Sequence, residues 1–225
     1  MKSSCILVFA RESRVEARAK RLRRGRAVFD YAAARLQTAA ARMPDVDLVL
    51  CGARPVAAPG RFMAQRGASF GERLENAFAD ALALGYERVV AAPIDVPRLG
   101  LAHLRQALDA LATRSLVYGP SPDGGVYLLG LRAEALPRLR GVRWQSSRVS
   151  ADLSRDAAVL RDCLRDIDGA EDVIVLASEP RLPPELRSLL SSIAAHAAWL
   201  PSPPRVYVQG RDLSAFGGRP PPLLA

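Results

Sequence analysis

Four carboxylates, Asp95, Asp123, Asp166 and Asp168, each stand beside a short apolar run, and arginines crowd residues 11–26, "RESRVEARAKRLRRGR". Acids gathered from separate strand ends can hold Mg²⁺ or Mn²⁺, hard ions that prefer oxygen ligands and accompany diphosphates. Arginines placed after a first strand, Arg11 foremost, can clamp the same phosphates. Each feature also has a plain structural reading. Asp95, before Val96-Pro97, can start a turn and cap the next helix. Asp123-Gly124-Gly125 can be a type I′ hairpin turn, Asp168-Gly169 another turn, and the basic stretch a solvated surface. His103 and His196 lie on helical segments with no nucleophile beside them and read as structural or exposed. No Gly-x-Ser-x-Gly, His-Glu-x-x-His or P-loop pattern is present.

The elements that must position these groups alternate. Residues 3–9 read as a buried parallel strand and the basic stretch as a loop. Apolar residues at 28, 29, 32, 36 and 39 have helical spacing across 26–42. A second strand covers 46–52, and 53–66 look irregular. A helix covers 69–85 and a strand 88–97, ending in an acid and a proline. Then come the helix "AHLRQALDALA", the strands "SLVYG" and "GVYLLGL", a helix over 147–162, and a helical turn at "AEDVIVLAS". This alternation predicts an α/β fold, a doubly wound and mostly parallel sheet. Ligands then gather outside the carboxyl ends of the strands, where the acids and Arg11 fall. The sheet domain is expected over 1–180. A C-terminal helix, 183–200, and a proline-rich tail make up 181–225, the tail extended or packed on a second copy in a homodimer.

Composition excludes several classes. Of 225 residues, 49% are apolar, enough for a large core. The early apolar run "CILVFA" stops at Arg11, too short for a secretory signal or a membrane span, so the expectation is a cytoplasmic protein without a membrane role. The net charge of +9 comes almost wholly from arginines scattered along the chain, with only Lys2 and Lys20 as lysines. That distribution does not point to nucleic acid. Cys5, Cys51 and Cys163 form no metal motif and read as buried reduced thiols.

Taken in order, the pieces resemble the bacterial glycosyltransferase-A-like proteins of the nucleotide-diphospho-sugar transferase superfamily. These include arsenosugar-biosynthesis-type glycosyltransferases and are related to nucleotidyltransferases such as 2-phospholactate guanylyltransferase. The resemblance runs from residue 5 to about 176. It rests on Phe9-Ala10-Arg11, on Gln65 with Phe70-Gly71-Glu72-Arg73, and on Asp95-Val96-Pro97-Arg98-Leu99. It rests also on residues 119–131, "GPSPDGGVYLLGL", on Trp144-Gln145-Ser146, and on Leu164-Arg165-Asp166-Ile167-Asp168 followed by Glu171-Asp172. The chain departs from the family pattern in the basic loop, where Glu16 replaces a glycine and Ala19 a lysine. An acid there opposes a diphosphate, and Lys20 or Arg18 is placed to compensate. Glu16 is expected either to turn away and pair with Arg14 or Arg18, or to weaken the phosphate grip.

The resemblance implies a metal-dependent transferase that passes a sugar from a nucleotide-diphosphate sugar to a small acceptor. The alternatives are a nucleotidyltransferase using a nucleoside triphosphate and a phosphorylated acceptor, and a non-catalytic nucleotide-binding or scaffold protein. It implies that Asp95 and Asp168 hold Mg²⁺ or Mn²⁺ and that Asp95 and Asp123 serve catalysis. Arg11, Lys20 and Arg21 would meet phosphate. Arg73, Gly124, Gly125, Tyr127, Trp144 and Ser146 would meet substrate, with "DGG" as a ligand-facing turn.

Overall fold

The computed structural model describes residues 2–55 and 60–197. Seven strands form one sheet in the order β3-β2-β1-β4-β6-β5-β7, with β6 antiparallel to its neighbours and the other pairings parallel. β1 (Ser4–Phe9) lies between β2 (Val46–Gly52) and β4 (Arg88–Ala92). Successive crossovers leave β1 in opposite directions, so a crevice opens at its carboxyl end. After Ser4, β1 is apolar because both of its faces are covered. Ile6 and Val8 face one core layer, while Cys5 and Leu7 face the other.

The first layer is built by α2 (Arg26–Ala41), α4 (Leu101–Ala110), α6 (Ala170–Ala177) and α7 (Pro184–Ala197). α2 buries Val28, Phe29, Ala32, Leu36 and Ala39, the stripe that its periodicity predicts. α7 buries Leu186, Leu190 and Ile193 in the same layer. The second layer comes from α3 (Phe70–Ala83), a 3-10 helix (Ala133–Gly141) and α5 (Val149–Leu153). The start of α3 is fixed by a capping box. The Ser69 hydroxyl accepts from the Glu72 N–H at 3.1 Å, and the Glu72 carboxylate accepts from the Ala68 and Ser69 N–H groups. His103 is spent on structure, its Nδ1 accepting from the Gly100 N–H while Nε2 meets Asp162 at 3.0 Å.

Four expected elements differ. The basic stretch is not simply a loop: residues Ser13–Ala19 form α1, whose Ala17 is buried against the first layer. The irregular 53–66 contains β3 (Arg61–Ala64), a short edge strand on β2. β4 ends at Ala92 rather than 97, because Pro93 has no N–H to continue the ladder. The helix expected over 147–162 stops at Leu153; Asp156 takes a left-handed φ of 53°, and the two-residue β7 (Ala158–Val159) follows. Residues 198–200 of the expected C-terminal helix and the proline-rich tail, 201–225, lie outside the described residues. Cys5 and Cys51 are buried as expected, whereas Cys163 is exposed.

The "DGG" turn joins β5 (Leu116–Pro120) to β6 (Val126–Leu131). It is not type I′, which needs positive φ at two central residues; only Gly124 has one, at 87°. The Gly124 N–H donates to the Ser121 carbonyl, and Ser121 N–H to the Gly125 carbonyl, closing a three-residue loop with a left-handed glycine. A Cβ on Gly124 would collide with the Ser147 carbonyl, and the Gly124 carbonyl accepts from the Ser150 N–H at 3.0 Å. The glycine is therefore required by the protein's own packing. Gly124→Ala is expected to cost about 1–3 kcal/mol in urea unfolding. Gly125→Ala, with negative φ and only the Asp123 carboxylate close by, should cost clearly less. Equal losses would contradict this account of the turn.

Candidate functional site

A cleft of about 630 Å³ opens at the carboxyl ends of β1 and β4. Besides Arg73 of α3 and Asp123 of the β5–β6 turn, three segments far apart in sequence supply its charges. The loop after β1 and α1 bring Arg11, Glu16 and Lys20. The turn after β4 brings Asp95. The segment after β7 brings Asp166 and Asp168. That last segment is held in place by backbone bonds: Leu160 N–H to the Tyr118 carbonyl, Leu164 N–H to Pro120, and Ile167 N–H to Asp95 at 2.8 Å. Asp172 then accepts from the Asp168 and Gly169 N–H groups and pairs with Arg165, which sets the loop that carries both acids.

The charges meet at one ammonium. Lys20 Nζ lies 2.6 Å from Asp95 Oδ2, 3.0 Å from Asp168 Oδ1 and 3.4 Å from Glu16 Oε1. Burial opposes the Lys20 charge, but the Asp95 and Asp168 carboxylates outweigh it and hold the pKa above its ordinary value. Glu16 neither turns outward nor meets Arg14 or Arg18. It is buried and pairs with Lys20 and with Arg11, Nε to Oε2 at 3.6 Å. Asp95 does not cap α4, whose N-cap is Gly100.

Asp166 completes a cluster with Asp95 and Asp168, one carboxylate oxygen of each lying within 4.8 Å of the others. Three hard oxygen donors from two loops suit Mg²⁺ or Mn²⁺, and the ammonium of Lys20 already stands among them as a cation. The sequence places Asp166 among the acids able to converge on a metal, while the resemblance implies only Asp95 and Asp168 as its ligands. The Asp-x-Asp spacing is the signal for Asp166, since residues two apart in an extended segment share a face. Burial first, and then the charges of Asp168, Asp95 and Asp123, push the Asp166 carboxyl up to about 7.

An aromatic wall stands across the cleft. Phe9 and Phe70 pack edge to face at 5.8 Å, and Phe70 meets Trp144 at 5.8 Å. Trp144 lies so close over Gly71 that a Cβ there would collide with its ring, and its Nε1 donates to the Leu139 carbonyl. Gln65 and Arg73 line the same side, Arg73 donating to the Ala68 carbonyl. Arg143, paired with Asp152 at 2.9 Å, pins the segment that carries Trp144 and Ser146.

The other expected substrate residues divide. Asp123, Gly125, Trp144 and Ser146 line the cleft. The Ser146 hydroxyl donates to the Arg143 carbonyl and accepts from the Arg148 N–H, so it is engaged in its own turn. Gly124 is not among the lining residues. Arg21 is exposed with a φ of 55° and does not line the cleft either; Arg11 and Lys20 are the basic residues that do so from this segment. Tyr127 touches the cleft, but it is 1% exposed and its ring packs over Gly119 and against His103. Its hydroxyl is buried without a hydrogen-bond partner.

With the geometry in hand, the comparisons place the chain. Residues 34–146 match the model of DUF2064, described as an uncharacterized protein conserved in bacteria. The chain belongs to the DUF2064 family. The match includes Asp95, Asp123 and Trp144 but stops short of Lys20 on one side and Asp166 and Asp168 on the other. No curated protein matches the chain. A solved structure from Desulfovibrio desulfuricans G20, named "putative nucleotide-diphospho-sugar transferase", is 25% identical, with a TM-score of 0.73 over 87% of this chain and 96% of its own. A 4-diphosphocytidyl-2C-methyl-D-erythritol synthase from Anaerococcus prevotii is 12% identical, with a TM-score of 0.52 over 84% of this chain and 97% of its own. Rv0371c from Mycobacterium tuberculosis H37Rv, in complex with manganese, is 16% identical, with a TM-score of 0.52 over 77% and 97%. The DUF2064 chain thus has the nucleotide-diphospho-sugar transferase fold, and the latter two likenesses speak to that fold alone. Among the described residues no helix is long and apolar enough to cross a membrane.

The raised Asp166 carboxyl makes a prediction about metal-free protein. Between the ordinary value of 3.8 and about 7, the folded chain holds a proton that the unfolded chain has released. Asp166 therefore contributes most to stability below that ordinary value, and the contribution is lost as pH rises through 7. In chelator, the melting temperature of wild type relative to Asp166→Asn should fall between about pH 5 and pH 8. A difference that stays flat over that range would show that Asp166 titrates normally.

Proposed function

We propose that this DUF2064 protein is a metal-dependent transferase that takes a sugar from a nucleotide-diphosphate sugar and passes it to a small acceptor. The observation that carries the reading is the convergence of Asp95, Asp166 and Asp168 beside Lys20 and Arg11 in the crevice at the β1 carboxyl end. A divalent ion held by the three carboxylates would supply electrostatic stabilisation to a departing phosphate oxygen. Around it the chain's own groups have separable tasks. Arg11, half in solvent, is free to turn from Glu16 onto an incoming phosphate. Asp123, at the rim, has the capacity to accept hydrogen bonds from sugar hydroxyls while its Oδ1 holds the Gly125 N–H. The Phe9–Phe70–Trp144 wall offers flat apolar surface for a ring.

A thermal-shift series tests the reading: nucleotide-diphosphate sugars and nucleoside triphosphates, each with and without Mn²⁺. A ligand at 100 times its dissociation constant should stabilise the fold by about 2.7 kcal/mol. Asp95→Asn and Asp123→Asn should remain folded; the first should lose the Mn²⁺-dependent part of the shift and the second should weaken sugar-nucleotide binding. Response to triphosphates alone, with pyrophosphate released, would replace sugar transfer by nucleotidyl transfer. No response to any nucleotide would leave a scaffold role.

A further inference from the structure

We propose that Lys20 is a built-in cation that occupies the carboxylate cluster of the metal-free protein and must leave it when a divalent ion binds. The inference rests on the metal reading given above and adds an order of events to it. Lys20 Nζ is not at the edge of the cluster. It touches two of the three candidate ligands, Asp95 at 2.6 Å and Asp168 at 3.0 Å, and Glu16 at 3.4 Å on its other side. The ammonium contacts Oδ2 of Asp95 and Oδ1 of Asp168, so one oxygen of each of these two carboxylates is engaged with it. Its side chain is 11% exposed, whereas that of Asp168 is 69% exposed. The ammonium is therefore the buried member of the pair, and the carboxylate is the one open to solvent.

Two charges cannot share this position. An ammonium and a divalent ion a few ångströms apart repel strongly, and both draw on the Asp95 and Asp168 carboxylates. Displaced, Lys20 retains Glu16 as its counter-charge within the cleft, and Glu16 is already shared with Arg11. An anion that enters with the metal gives the ammonium a second partner. Metal and phosphate anion should thus bind cooperatively, each removing a cost that the other would meet alone. Glu16 then has a role that a glycine could not fill: it keeps Lys20 and Arg11 within the cleft in the absence of ligand.

Mn²⁺ binding to the full chain, read by electron paramagnetic resonance of the free ion and by thermal shift, tests this without any activity measurement. Lys20→Met keeps the apolar stem and removes the charge; Lys20→Ala serves as the second variant. Both should bind Mn²⁺ alone on the order of 10- to 100-fold more tightly than wild type. Both should melt lower than wild type in chelator, because carboxylates are left unpaired, and recover more of that loss in Mn²⁺. In wild type, inorganic pyrophosphate should tighten Mn²⁺ binding, after correction for the complex formed in solution, and in Lys20→Met that gain should shrink. Equal or weaker Mn²⁺ binding by the variants, with Asp95→Asn still abolishing it, would overturn the role of Lys20 while leaving the metal site intact. Absence of Mn²⁺ binding in wild type and both variants, with and without pyrophosphate, would overturn the metal reading itself.

Discussion

The site depends on a reversal of direction in the sheet. β1 pairs in parallel with β2 on one side and β4 on the other, so the chain that follows β1 and the chain that follows β4 must separate at their carboxyl ends. The gap cannot be closed by the sheet, and side chains from the two loops face each other across it. Arg11 and Lys20 come from one loop and Asp95 from the other. The antiparallel β6 then fixes the far wall, because its hairpin with β5 brings Asp123 and Gly125 to the same end as the parallel strand termini.

Charge in the crevice is balanced internally. Four carboxylates, Glu16, Asp95, Asp166 and Asp168, meet two cations, Arg11 and Lys20. Full ionisation of all four would leave an excess of negative charge in a poorly solvated space. Burial, and then the neighbouring charges of Asp168, Asp95 and Asp123, raise the Asp166 carboxyl, which lessens that excess.

Much of this was legible in the sequence. The strand and helix alternation, the burial of β1 and the α2 stripe follow from apolar spacing, and Asp95 and Asp168 stood out as acids beside apolar runs. The misses have local causes. α1 was hidden because arginine, a good helix former, reads as a solvated loop when repeated, and only Ala17 of the helix is buried apolar surface. The direction of Glu16 could not be read from neighbours in sequence, since its partners are set by how α1 docks. Tyr127 lines the cleft as expected but is buried with the first core layer, and the Ser147 carbonyl fills the space beside Gly124; neither packing is visible in local sequence. Asp166 carried a motif signal, but its burial depends on backbone bonds to Pro120 and Asp95 that no local pattern reports.

The segment from β7 to α6 has a consequence for how the protein matures. It supplies only two residues of strand, yet it crosses from Tyr118 past Pro120 to Asp95 and delivers the last two acids of the cluster. Six of the seven strands precede it in the chain. A nascent chain emerging from the ribosome can therefore pair most of its sheet, and place Lys20 and Asp95, before Asp166 and Asp168 have been made. The acidic cluster is thus completed late, together with closure of the C-terminal half.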